Sequence, residues 1–303
     1  MRTIFSSIIL LLLIGCASDN SKPGSDSADP NANSPSGNSK FGKQLNITIL
    51  LDLSDRISPE KSPATPEHFQ RDTAIIKTFA DLFIRDMAKR GTFMSKGKLK
   101  VIFSPQPQDP NINILASKLN VDLSEMDNKQ KKEIYDNISN SFPEDAFQIY
   151  NSTIKSSKWL GSDIWRFFKD DVKDFSIDRD TNYRNILVIL TDGYIYHENS
   201  RDNIDNRYAY ILSENLNKHN LRNNNWESIF DKEDFGMITK RNDLQNLEVL
   251  LLEVTPSPSF INDADIIKKV ISKWFDEMKV KRFAIYKSEL PEYTKQRIKD
   301  FIN

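Results

Sequence analysis

Three short motifs place carboxylates and hydroxyls where they could act together: Asp52-Leu53-Ser54, Gly161-Ser162-Asp163 and Thr191-Asp192-Gly193. Carboxylate and hydroxyl oxygens are hard donors. If Asp52, Ser54, Ser162 and Asp192 met at one point, they would suit Mg²⁺, or Mn²⁺ or Ca²⁺. Arg56 stands two residues beyond Ser54 and complicates this chemistry. A guanidinium carries donors and no acceptor, so it cannot ligate a cation. Close to an ion its charge would oppose binding; alternatively it replaces the ion by pairing with Asp52 or Asp192. A metal-bearing site and a metal-free paired site are both open at this point. Tyr194, Tyr196, His197 and Glu198 follow Asp192 directly. With Arg56 they form a candidate rim for a partner, because tyrosine is enriched at interfaces; the plainer reading of that stretch is an ordinary polar loop.

The elements around the motifs determine whether they meet. Ile47 to Leu53 is an almost continuous apolar run, as expected of a strand buried on both faces. Ile186 to Leu190 and Leu247 to Val254 read the same way, and Lys98 to Phe103 and Arg282 to Tyr286 are further strands. Phe69, Thr73, Ile76, Ala80, Phe83 and Met87 recur at helical spacing, with Thr65-Pro66-Glu67 as the expected start and Arg90-Gly91 as the stop. Ile164, Phe167, Phe168 and Val172 share one helical face. Asp265 to Met278 is strongly amphipathic, and Pro291 to Ile302 is a last helix. Between these lie two polar stretches, expected as insertions. In 105–146, Ile112 to Leu115 reads as a short edge strand and Ser124 to Asn140 as a helix with Ser124 and Asp127 at capping-box spacing. The second is 194–243. Strands alternating with helices predict an α/β fold: a doubly wound, mostly parallel sheet with helices on both faces. In such a sheet, ligands gather at the carboxyl ends of the strands, which is where Asp52 and Asp192 fall.

The three motifs, in this order and at these strand ends, resemble the von Willebrand factor type A domain. That family's metal-ion-dependent adhesion site begins with Asp-x-Ser-x-Ser. Asp52 and Ser54 match its first two members, and Arg56 departs from the third. Ser162 takes the place of the family's middle-loop threonine, and Thr191-Asp192-Gly193 matches in full. The resemblance implies a divalent cation held by protein oxygens with one position open to an acidic side chain of a protein partner.

The N-terminus carries a second resemblance. Met1-Arg2 precedes a run from Ile4 to Ile14 broken only by Ser6 and Ser7. It reads as the apolar core of a secretory signal and is too short to span a bilayer. Leu13-Ile14-Gly15-Cys16 resembles the lipobox of bacterial lipoproteins. That implies cleavage before Cys16 and acylation of Cys16, with more than one chain for stable anchoring; an ordinary cleaved signal is the alternative. The expected organisation is therefore a signal over 1–15, a lipidated cysteine and flexible tether over 16–41, and the α/β domain over 42–303. Ala17 to Lys40 lacks large apolar side chains and cannot bury a core. Ala17-Ser18 lacks the aspartate that retains some lipoproteins at the inner membrane, so the outer membrane is favoured within the cell envelope.

Composition narrows the remaining classes. The formal net charge is −1, which gives no electrostatic case for nucleic acid. Cys16 is the one cysteine, so no intrachain disulfide exists. His68 and His219 lie in polar stretches and read as solvated; Trp159, Trp165, Trp226 and Trp274 read as packing residues. No phosphate-binding loop, nucleophile elbow or zinc-protease motif is present. A Mg²⁺-dependent phosphohydrolase on a similar sheet would want a second carboxylate two residues after Asp52. Ser54 stands there instead, so a binding protein rather than an enzyme is expected.

Overall fold

The structure, a computed structural model, describes residues 41–303 apart from Leu160, Pro258 and Ile261. Cys16, the apolar run before it and the expected tether Ala17–Lys40 lie outside the described residues. The described residues form one compact unit. Strand β1 (Gln44–Leu51) leads to helix α1 (His68–Arg90) and back to β2 (Lys98–Phe103). Helix α2 (Pro110–Lys118), strand β3 (Asn120–Asp122) and helix α3 (Asn128–Ser156) follow. Two short helices, α4 (Ile164–Arg166) and α5 (Val172–Ser176), run together through a π-helical turn and precede β4 (Tyr183–Leu190). The next segment holds β5 (Asn203–Ile204), β6 (Arg207–Tyr208), α6 (Ser213–Lys218), α7 (Trp226–Lys232) and β7 (Gly236–Met237). The chain ends with β8 (Leu247–Val254), α8 (Asp263–Glu277), β9 (Arg282–Lys287) and α9 (Pro291–Ile302).

The main sheet has six strands in the order β3-β2-β1-β4-β8-β9. Neighbours are parallel except β3, which runs antiparallel to β2 at the edge. This is a mixed α/β sheet flanked by helices, compatible with a Rossmann-like fold. The apolar runs explain the central strands. Alternate residues Ile47, Ile49 and Leu51 of β1 and Ile186, Val188 and Leu190 of β4 pack with Phe79 and Phe83 of α1, Ile149 of α3 and Ile298 of α9. Leu50, Leu187, Ile189 and Val249 pack with Phe168, Ile267, Ile271 and Trp274 in a second cluster. Each large apolar side chain buried this fully contributes about 1.5–3 kcal/mol, so the register that centres β1 and β4 is firmly set.

The structure corrects several expectations. Ile112 to Leu115 is helical, not an edge strand, because Asp109 accepts from the Asn111 N–H at 2.8 Å and Pro110 starts α2. The edge strand is β3. Helix α3 starts after Asp127, which forms a reciprocal capping box with Gln130, and not at Ser124. It extends to Ser156 and packs on α1, so 105–146 builds part of the helical layer and is not an insertion. Helix α1 is capped by Glu67 with Gln70, two residues later than Thr65 suggested. The 194–243 segment does stand apart from the main sheet. It forms a small sheet in the order β5-β6-β7, and Tyr208, Leu216, Phe230 and Met237 carry its apolar side into the second core cluster. His68 is 5% exposed rather than solvated, and its imidazole is pushed down to about 4 by burial and by the charges of Arg56 and Arg71. His219 is also engaged, contacting the Tyr208 hydroxyl at 2.8 Å and Glu233 at 3.2 Å.

Candidate functional site

The carboxyl ends of β1 and β4 are adjacent and in register, Leu51 opposite Leu190. Asp52 and Asp192 therefore leave the sheet side by side. The second motif is zippered to both: Gly161 bridges Leu53, and Ser162 bridges Tyr196. The Asp163 N–H also donates to the Ser104 carbonyl at 2.7 Å, tying this loop to the end of β2. As a result Asp52, Ser54, Ser162 and Asp192 line one open cleft of about 420 Å³. Trp159, Tyr194, Tyr196, His197 and Leu212 also line it. Gly193 makes the turn possible. Its φ is +95°, and a Cβ there would meet Ile267 at 2.9 Å and Val254 at 3.2 Å.

Individual groups show what the cleft can do. One Asp52 carboxylate oxygen accepts from the Ser54 N–H at 2.9 Å and the other from the Thr191 hydroxyl at 2.8 Å. The threonine of the third motif thus orients the aspartate of the first. Asp192 accepts from the Tyr194 N–H at 2.9 Å. Its carboxyl is pushed up to about 7, first by burial and then by the Asp52 charge. Ser162 is buried, and its Oγ has no hydrogen-bond partner among the described residues. Four oxygen-bearing side chains, among them the orphaned Ser162 hydroxyl and the raised Asp192 carboxyl, fit a hard divalent cation. Among the described residues no group of three or more His, Cys, Asp or Glu is arranged to hold a metal. The expected set contains only two carboxylates, so that observation does not bear on it.

Arg56 does not line the cleft. It lies in a short 3₁₀ turn behind Asp52, 2% exposed. Its Nη2 donates to Asp72 at 2.5 Å and to the Leu190 carbonyl at 3.0 Å, and its Nε lies 3.7 Å from Asp52. Tyr150 of α3 donates to the same Asp72 oxygen at 2.8 Å. The neighbouring carboxylates, Asp72 before Asp52, hold the guanidinium fully charged against the cost of burial. Arg56 is therefore removed from the expected partner rim. Tyr194 and Tyr196 are on the cleft wall, and the Tyr194 hydroxyl is already committed to Asp263 at 3.0 Å. His197 lies 3.4 Å from Asp163, which also accepts from Ser200 at 2.7 Å. Sequence patterns did not single out Asp72, Tyr150 or the wall residue Leu212, and Trp159, expected as a packing residue, also lines the cleft. The one signal for Asp72 was an acid on the otherwise apolar side of α1.

Comparison with known proteins finds no matching family model, no matching curated protein and no matching solved structure.

Proposed function

We propose that this chain is a lipid-anchored protein of the bacterial cell envelope, with the outer membrane favoured, whose von Willebrand factor type A-like, doubly wound domain binds a protein partner through a divalent-cation-dependent site. The observation that carries the reading is the convergence of Asp52, Ser54, Ser162 and Asp192 on one cleft while Arg56 is turned away from it. Mg²⁺ held there would supply an electrophilic position for an acidic side chain of the partner. Asp52 would be oriented by Thr191 and Ser54, and the Ser162 hydroxyl would gain the partner it lacks. The cleft walls Trp159, Tyr196 and Leu212 would then take up apolar surface beside that acid.

A metal-free assembly module is the second reading. It is favoured by Arg56, a fixed positive charge 3.7 Å from Asp52 where the resembling family has a ligand. Capture of partners from envelope extract by the full chain separates the two. The adhesion reading expects capture that chelator removes and that Asp192→Ala abolishes. Capture indifferent to chelator and to that substitution would leave the metal-free module. Release of phosphate from aryl phosphates would move the protein to the enzymes.

A further inference from the structure

The opposite, amino edge of the sheet carries an apolar tip among basic residues. In the 91–97 loop, between α1 and β2, Phe93 is 79% exposed and Met94 50%. The loop is braced and not loose. Its Ser95 is buried and donates to the Gly91 carbonyl at 2.8 Å. Gln44 of β1 donates to the Met94 carbonyl at 2.9 Å and accepts from the Lys96 N–H at 3.0 Å. Two adjacent large apolar side chains are thus held out in solvent by a built scaffold, at a cost in exposed apolar area that folding alone does not explain.

Two further observations say what covers them. Lys43, Lys89 and Lys96 are exposed around this loop, and none forms an ion pair among the described residues. Of the acids on this edge, Asp86 is bound to Arg90 at 2.7 Å and Asp178 to Lys98 at 3.0 Å, while Asp180 shares a recess with Lys43. Arg90, at the base of the loop, also donates to the carbonyls of Phe41, Gly42 and Lys43 at 3.1, 3.1 and 2.6 Å. The described chain therefore begins stitched to this loop, and the stretch before it is the one that leads back to Cys16.

We propose that Phe93 and Met94, ringed by Lys43, Lys89 and Lys96, dock on an anionic lipid surface and set the domain amino edge down on its membrane. Phe and Met suit the boundary between headgroups and acyl chains, and the lysines match anionic headgroups. The consequence is orientation. β1 runs from this edge to Asp52, so the cleft faces away from the lipid, roughly 25 Å higher at about 3.3 Å per strand residue. A partner then approaches without competition from the membrane. The inference rests on the lipid-anchor reading for the membrane that is met.

The test places an environment-sensitive fluorophore at Met94→Cys and, in a second full-length chain, at Glu60→Cys, in the exposed loop after β1 at the other edge. Each chain is returned to vesicles of phosphatidylcholine and phosphatidylglycerol with and without nitroxide-labelled lipid, and its intact mass reports the lipid on Cys16 separately. The expected result is a lipidated chain with quenching at least about twofold stronger at position 94 than at 60, and a loss of that difference in the Lys43→Glu, Lys89→Glu, Lys96→Glu variant. A lipidated chain with equal quenching at both positions overturns the docking and leaves the anchor standing. An unmodified Cys16 with no vesicle binding overturns the anchor and the docking with it. An emission shift at position 94 without vesicles assigns the face to a second copy of the chain and overturns the lipid proposal.

Discussion

Strand β8 carries a buried glutamate near each end, and the two are in opposite electrostatic states. Glu248, at the amino edge, meets Arg184 at 2.9 Å, Arg282 at 2.6 Å and Lys281 at 3.2 Å. Despite its burial these partners pull its carboxyl down to about 2. Arg184 and Arg282 also donate to the Phe301 carbonyl, at 3.0 and 2.6 Å, so the cluster fastens the end of α9. Glu253, at the carboxyl edge, is 1% exposed in a left-handed conformation with φ +71° and accepts from Ser288 at 2.6 Å. Its carboxyl is pushed up to about 7 by burial and by Asp72. Asp192 on the neighbouring strand end is raised for the same kind of reason. The amino edge spends its carboxylate on holding the fold together, whereas the carboxyl edge accumulates acids in excess of cations. Raised carboxyls and a left-handed residue therefore gather at the end of the sheet where the proposed site lies.

The largest expected effect comes from Arg56, the one fully buried cation at the carboxyl edge among the described residues. Arg56→Ala leaves Asp72 and Asp52 buried beside each other without a counter-charge, so urea unfolding should lose about 3–5 kcal/mol. A variant as stable as the parent would mean that the acids behind the cleft tolerate each other, and the contrast between the two edges would lose its basis. Glu248→Gln should cost less, about 1–3 kcal/mol at neutral pH, because Lys281 and Arg282 are half exposed and water screens them. Glu248 has a lowered folded pKa, so its stabilisation is present above the unfolded value near 4.5 and is lost as pH falls toward about 2. The parent should weaken across that window, and the variant should show a shallower acid limb in thermal melts.

Asp192→Asn should act in the opposite direction. A carboxyl with a raised folded pKa binds more protons folded than unfolded between about 4 and about 7, so its contribution to stability declines as pH rises through that range. With chelator present above pH 7, the variant should melt higher than the parent, and Mg²⁺ should close or reverse the gap. A variant that melts lower under chelator would show that Asp192 is a structural acid like Glu248.

The sequence conveyed the central strands and the motifs at their ends because both rest on local signals: an apolar run buried on two faces, then a polar turn. It conveyed less where capping decided the outcome. Around Ile112 three apolar residues in four are short enough to fit a strand or a helix, and Asp109-Pro110 settles it. The 105–146 stretch looked like an insertion because α3 presents few apolar residues in its first turns; only the contacts with α1 reveal its place in the layer. Asp52, Ser54, Ser162 and Asp192 of the cleft were legible from motif order. The position of Arg56 was not, since its partners Asp72 and Tyr150 lie 16 and 94 residues away along the chain. Sequence spacing left it free to face the cleft or the core. The buried charge balance with Asp72 chose the core.

Whether the cleft holds a divalent cation is decided by calorimetric titration of Mg²⁺ and Mn²⁺ into the chelator-treated full chain. Asp192→Ala and Ser162→Ala run alongside. One saturable site in the parent, lost in Asp192→Ala and weakened in Ser162→Ala, is the expected result. A parent that takes up neither ion, or an Asp192→Ala variant that binds as the parent does, would contradict a cation held in this cleft.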